Sequence, residues 1–123
     1  TKRILNNQPI DIFNNGKMER DFTYIDDIVE GIFKCIKVKN NKFKIYNLGN
    51  QKPIKLMYLI NILEKNLKRK AILNFSQFKK TEMAKTHSNI RRAKTDLKYK
   101  PNIKIEKGIK KFIDWFKSYY GKK

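Results

Sequence analysis

Pro9-Ile-Asp-Ile-Phe-Asn-Asn-Gly-Lys-Met-Glu-Arg-Asp-Phe-Thr-Tyr-Ile-Asp-Asp-Ile-Val-Glu-Gly31 is the stretch on which the reading of this 123-residue chain turns. Ile10 to Phe13 alternate as a short strand, and Asn14-Asn15-Gly16 supplies residues that tolerate positive φ. A tight turn and a hairpin-like reversal are therefore expected. Phe22 to Ile25 reads as extended. Asp26 and Asp27 then sit where a helix N-terminus favours negative charge, and Ile25, Ile28, Val29, Ile32 and Ile36 recur at helical spacing, which predicts a helix with one buried face.

Working outward, Thr1 to Asn7 reads as the end of a helix closed by the turn that Pro9 enforces. Because the chain begins inside an element and without Met, it is expected to be a piece of a longer protein. Phe43 to Leu48 is rich in strand formers and is stopped by Gly49-Asn50, and Pro53 is suited to the first turn of the next helix. Leu56, Leu59, Ile60, Leu63 and Leu67 repeat at the spacing of one helical face. Ala71 to Phe75 is a further short strand, and Ser88 or Asn89 can cap a helix that turns Ile90, Ala93 and Leu97 inward. Tyr99-Lys100-Pro101-Asn102 breaks it. The last helix puts Ile105, Ile109, Phe112, Ile113, Phe116 and Tyr120 on one side and Lys104, Lys107, Lys110, Lys111 and Lys117 largely on the other. Short strands alternating with helices give α/β (α+β) as the class, in one domain over residues 1–123.

The formal net charge is +19, from 30 basic residues of which 25 are Lys and 5 are Arg. Nucleic acid is the usual partner of such a charge, and a basic polyanion-binding module is accordingly a rival reading. Arginine, not lysine, forks onto phosphate and guanine edges, so lysines spread over helix faces argue less for specific readout. Asn (13) and Ile (17) are also in excess while Ala (3) is scarce, the drift expected where AT-rich codons are favoured. Against that background the window Asp11 to Glu30 is distinct: it holds six of the eleven acids, and its bases are only Lys17 and Arg20. Arg20 therefore reads as a placed residue.

The catalytic inventory is negative. No glycine-rich dinucleotide or P-loop pattern occurs, and no G-x-S-x-G. Cys35 and His87 are the only residues of their kinds, which excludes an internal disulfide and a zinc shell. Asp26 and Asp27 point in different directions from a helix start and are read as structural, His87 as a polar loop residue, and Tyr119 with Lys123 as a chance match to Y-x-x-x-K. No apolar run approaches the ~20 residues of a membrane helix, and the cytoplasm is the expected compartment.

Several motifs, in order, resemble a known family. Arg20-Asp-Phe-Thr-Tyr-Ile-Asp-Asp-Ile-Val-Glu-Gly31 after a hairpin, Ile45-Tyr-Asn-Leu-Gly-Asn50, Pro53-Ile54 with Leu56-Met57, Tyr99-Lys-Pro-Asn102 and Gly108-Ile-Lys-Lys-Phe-Ile-Asp-Trp-Phe116 are similar to the C-terminal part of extended short-chain dehydrogenases/reductases. The resemblance is narrowest to NAD-dependent sugar-nucleotide epimerases and dehydratases of the UDP-glucuronate 4-epimerase group. It implies a Rossmann-type enzyme whose glycine-rich NAD loop and catalytic Tyr, Lys and Ser or Thr lie upstream, so that no catalytic residue falls in this chain. It further implies that Arg20 meets the diphosphate of a UDP-sugar, that Asp11, Ile12 and Phe13 lie along the uracil, and that Lys79 reaches the diphosphate while Glu82 takes the ribose hydroxyls. Thr81 stands where the family usually has glycine. The partners expected are the UDP-sugar and an N-terminal NAD-binding domain. Alone, the segment is expected to be a monomer, inactive, and without bound NAD. A non-catalytic paralogue of the same fold is the third reading.

Overall fold

The computed structural model describes residues 1–39, 43–77 and 83–121. Its elements are α1 (Lys2–Leu5), β1 (Ile10–Ile12), a 3-10 turn (Phe13–Gly16), β2 (Glu19–Arg20), α2 (Ile25–Lys37), β3 (Ile54–Lys55), α3 (Leu56–Leu67), β4 (Leu73–Phe75), α4 (Arg91–Leu97) and α5 (Ile105–Tyr120). This is the mixed helix and strand class that the pattern predicts. The helices carry most of the core. Ile4, Leu67 and Ile113 form one buried cluster that joins α1, α3 and α5, with Leu63, Ile109 and Phe112 packed against it. Ile90, Ala93, Leu97 and Tyr99 form a second around α4, backed by Cys35, Val38, Tyr46 and Leu48.

The strands depart from the expected hairpin. β1 pairs in parallel with β4, with Ile10 opposite Leu73 and Ile12 opposite Phe75. β2 pairs antiparallel with β3, with Arg20 opposite Ile54. The turn explains the difference: Asn14, Asn15 and Gly16 are all left-handed, with φ of 52°, 47° and 76°. A two-residue type I′ hairpin turn has two such residues, and the third here departs from that geometry. Gly16 is required here, since a Cβ on it would lie 2.9 Å from the Met57 side chain. Pro53 does not open a helix. Ile54 and Lys55 are drawn into the β2 ladder instead, and α3 begins at Leu56. Proline without an N–H is well placed just before such a strand.

Two further expectations are overturned. Phe43 to Leu48 joins no strand ladder among the described residues. It keeps the two-residue alternation of a strand, with Tyr46 and Leu48 packed on the second core cluster and Phe43 and Ile45 left 91% and 64% exposed. The face of α2 expected to be buried is also largely open: Ile25, Val29, Ile32 and Ile36 are exposed and Ile28 is half-buried, with Phe33 exposed beside them, and Asp27 and Gly31 are the helix's buried residues. Gly31 explains how α2 docks by its other side, because a Cβ there would stand 2.7 Å from Leu48 Cδ1 and 3.1 Å from Tyr99 Cε2. At α5, Tyr120 is about half exposed rather than inward. Asp26 and Asp27 are structural as expected. Asp26 pairs with Lys111 at 2.7 Å, and the buried Asp27 carboxylate accepts the backbone N–H groups of Asn102 and Ile103, each at 3.1 Å.

Candidate functional site

The candidate residues among those described lie on β1, on the turn that follows it and on β2. On β1, Asp11 is exposed and its carboxylate accepts from Arg3 Nη1 at 3.3 Å and Asn74 Nδ2 at 3.0 Å. The Ile12 side chain is 3% exposed and packs in the interior, so this residue meets anything outside only through its backbone. Phe13, half-buried, opens the left-handed turn. Arg20 is half-buried on β2, where its Nη1 donates to the Glu19 carbonyl oxygen at 2.9 Å. Lys79 and Glu82 lie outside the described residues.

The chain on both sides of residues 78–82 is tied to these strands. On the near side, β4 runs along β1 and Ser76 N–H donates to Ile12 O at 2.9 Å, while Asn15 N–H donates to Ser76 O at 3.2 Å. On the far side, Glu19 N–H donates to Ala84 O at 2.9 Å and Thr86 N–H to Glu19 O at 3.2 Å, which forms a parallel bridge between Glu19 and Lys85. β2 thus has β3 on one edge and residues 84–86 on the other. The Glu19 carboxylate completes the contact with a 2.8 Å ion pair to Lys85 Nζ, and that lysine holds the carboxyl below its usual range. Residues 73–76 thus run beside β1 and the turn that Phe13 opens, and residues 84–86 run beside β2, next to Arg20.

Asp21 is given no role by the sequence pattern, where it stands only as the second residue of the Arg20 to Gly31 motif. Its Oδ2 accepts the backbone N–H of Ser88 at 2.9 Å and of Gln51 at 3.1 Å, its Oδ1 accepts that of Lys52 at 3.4 Å, and its own N–H donates to Thr86 Oγ1 at 3.0 Å. Partial burial opposes the charge, but the Ser88 bonds and then the Gln51 and Lys52 N–H groups outweigh it and hold the carboxyl below its ordinary range. Gly49 is required beside it: a Cβ there would fall 1.8 Å from Ser88 Oγ. No spacing in the sequence announces these contacts, because all three partners are backbone groups distant along the chain. Among the described residues no group of His, Cys, Asp and Glu is arranged to hold a metal ion, and no helix is long and apolar enough to cross a membrane.

Residues 1–49 match the NAD dependent epimerase/dehydratase family. Uncharacterized protein MJ1055 of Methanocaldococcus jannaschii is 44% identical over 115 residues, covering 94% of this chain and 35% of that protein. UDP-glucuronate 4-epimerase 1 of Arabidopsis thaliana is 39% identical over 137 residues, covering 98% of this chain and 32% of that protein. The crystal structure of UDP-glucuronic acid 4-epimerase from Bacillus cereus in complex with UDP-glucuronic acid and NAD superimposes with a TM-score of 0.87 at 32% identity, over 97% of this chain and 38% of that one. The chain thus spans about a third of the length of the curated relatives it matches. With residues 1–49 matching that family and almost the whole chain matching UDP-glucuronate 4-epimerases in both sequence and backbone, the chain belongs to the NAD dependent epimerase/dehydratase family and corresponds to the C-terminal part of its UDP-glucuronate 4-epimerase-like members.

Proposed function

We propose that this chain binds the UDP portion of a UDP-sugar as the C-terminal part of an NAD-dependent UDP-sugar epimerase, an isomerase. The observation that supports the reading is that Ser76 is hydrogen-bonded to Ile12 and Asn15, beside Asp11 and Phe13, while Ala84 and Thr86 are hydrogen-bonded to Glu19, next to Arg20. A nucleoside diphosphate is long enough to need contacts along such a line: an aromatic surface for the base and cations for the phosphates. Arg20 suits the diphosphate because a planar guanidinium can hold two phosphate oxygens in charge-assisted bonds, about twice as strong as neutral ones. Lys79 adds a second cation and Glu82 an acceptor for ribose hydroxyls.

NAD does not fit this chain's own residues. Its five glycines, Gly16, Gly31, Gly49, Gly108 and Gly121, form no glycine-rich turn between strand and helix that could cradle a pyrophosphate. The cofactor's seat, and with it the removal and return of hydride at a sugar carbon, is assigned to a preceding dinucleotide-binding part, and the segment alone is inactive. The surface for that partner is the apolar face of α2 together with the exposed side chains of Phe43 and Ile45. Leaving such side chains in water forgoes about 1.5–3 kcal/mol for each one that a partner would fully bury. The cytoplasm remains the expected location and a monomer the expected state of the segment alone, since its +19 charge opposes self-association.

Calorimetric titration with UDP, with inorganic pyrophosphate as control, tests the reading in the protein that carries this chain. Arg20→Ala is expected to weaken UDP binding by about 1.5–3 kcal/mol and to leave NAD binding unchanged. Arg20→Lys restores the charge but not the fork, so its affinity is expected to lie between the two. A protein that binds pyrophosphate as well as UDP, with affinity set by salt alone, is a lysine-rich polyanion binder instead. Unchanged affinity in both Arg20 variants refutes the assignment.

A further inference from the structure

We infer that Asp21 is a positioning residue that locks the strand of Arg20 to residues 51–52 and 86–88, so that Arg20 is preset for the diphosphate. The inference rests on the UDP reading above and deepens it. Three stretches distant in sequence end at this one side chain: β2 itself, residues 51 and 52 just before β3, and Ser88 before α4. Residues 51, 52 and 88 are each held by a backbone N–H on a carboxylate oxygen, and the Asp21 N–H reaches Thr86 in return. β2 has only Glu19 and Arg20 in its ladder, too short to hold its own direction. The carboxylate supplies what the ladder lacks. A cation set before the ligand arrives loses less conformational entropy on binding than one that must be ordered by it.

Coupling of this kind has a signature that simple stabilisation lacks. UDP affinity is measured on the protein that carries this chain, below its melting temperature, for Arg20→Ala, Asp21→Ala, Thr86→Val and the Arg20→Ala/Asp21→Ala double variant. Asp21→Ala is expected to weaken UDP binding about ten-fold and Thr86→Val by about three-fold, with NAD affinity unchanged, since the first removes the charged acceptor of three N–H groups and the second a single neutral tie. The double variant is expected to fall short of the product of the two single losses, because the clamp acts largely through Arg20. Full multiplicativity, or wild-type UDP affinity in folded Asp21→Ala and Thr86→Val, overturns the inference. If Asp21→Ala does not fold, Thr86→Val with and without Arg20→Ala decides by the same criterion. Loss of affinity in Arg20→Ala without loss in the clamp variants sinks the clamp alone, whereas no loss in Arg20→Ala sinks the UDP assignment and the clamp with it.

Discussion

Replacing Asp27 tests how the start of α2 is fastened to the stretch leading into α5. The carboxylate is 2% exposed and lies in the first turn of α2, with Oδ1 accepting Asn102 N–H and Oδ2 accepting Ile103 N–H, both at 3.1 Å. Asp27→Ala removes both acceptors and leaves two partly buried N–H groups unpaired. At about 1.5–3 kcal/mol for each hydrogen bond to a charged group, the gross loss is about 3–6 kcal/mol. Loss of negative charge at a helix N-terminus adds about 0.3–1 kcal/mol. Water reaching the freed N–H groups offsets part of this, so the net expectation is about 3–5 kcal/mol, the range for breaking one side of a buried charged contact. Asp27→Asn is expected to cost nearly as much, because the amide must point its NH2 at one of the two N–H donors. Equilibrium urea unfolding followed by circular dichroism measures the effect, since a domain of this size has a slope of about 1–3 kcal/mol/M and the midpoint shift is large. A loss under about 1 kcal/mol in Asp27→Ala, or an Asp27→Asn variant as stable as wild type, refutes the account of α2 docking through this carboxylate.

Gly31→Ala is expected to cost about 1–3 kcal/mol, since its Cβ would stand 2.7 Å from Leu48 Cδ1 and 3.1 Å from Tyr99 Cε2; the same urea titration reads it. The Tyr99 phenol donates to Gly49 O at 3.2 Å, and burial, then the charges of Asp27, Glu30 and Asp21, push its pKa from 10.0 up to about 12. The native state then keeps its proton where the unfolded chain loses it, so this contribution is whole below pH 10 and falls away between pH 10 and about 12. Tyr99→Phe should flatten that alkaline decline in pH-dependent melting. Replacing Phe33 and Ile36 on the open face of α2 by Ser is expected to change this chain's own unfolding free energy by no more than about 0.5 kcal/mol. In a protein that also carries the dinucleotide-binding part, the same pair should lower stability by about 1.5–3 kcal/mol for each buried side chain, and equal effects with and without that part argue against docking there.

Much of the helical framework was legible without coordinates. The Leu56 to Leu67 repeat, the Ile25 to Ile36 repeat and the aromatic face ending at Phe116 each encode their own period, and a helix hydrogen-bonds within itself, so local sequence suffices to place it. Strand pairing was not legible, because each ladder partner of β1 and β2 lies dozens of residues away and nothing local distinguishes those partners from a hairpin between β1 and β2. The same limit explains Phe43 to Leu48, whose side chains alternate as a strand's should but which meets no ladder among the described residues. Periodicity showed that α2 has an apolar face; only the tertiary structure revealed that the face is open and that the helix docks through Gly31 and Asp27. At the candidate site, the isolated Arg20 in an acidic window and the ordered motifs pointed to the residues, whereas Asp21 emerged only from the fold. Its partners are backbone N–H groups, which every residue but proline carries, so no side-chain pattern can announce them and only the folded chain brings them to one carboxylate.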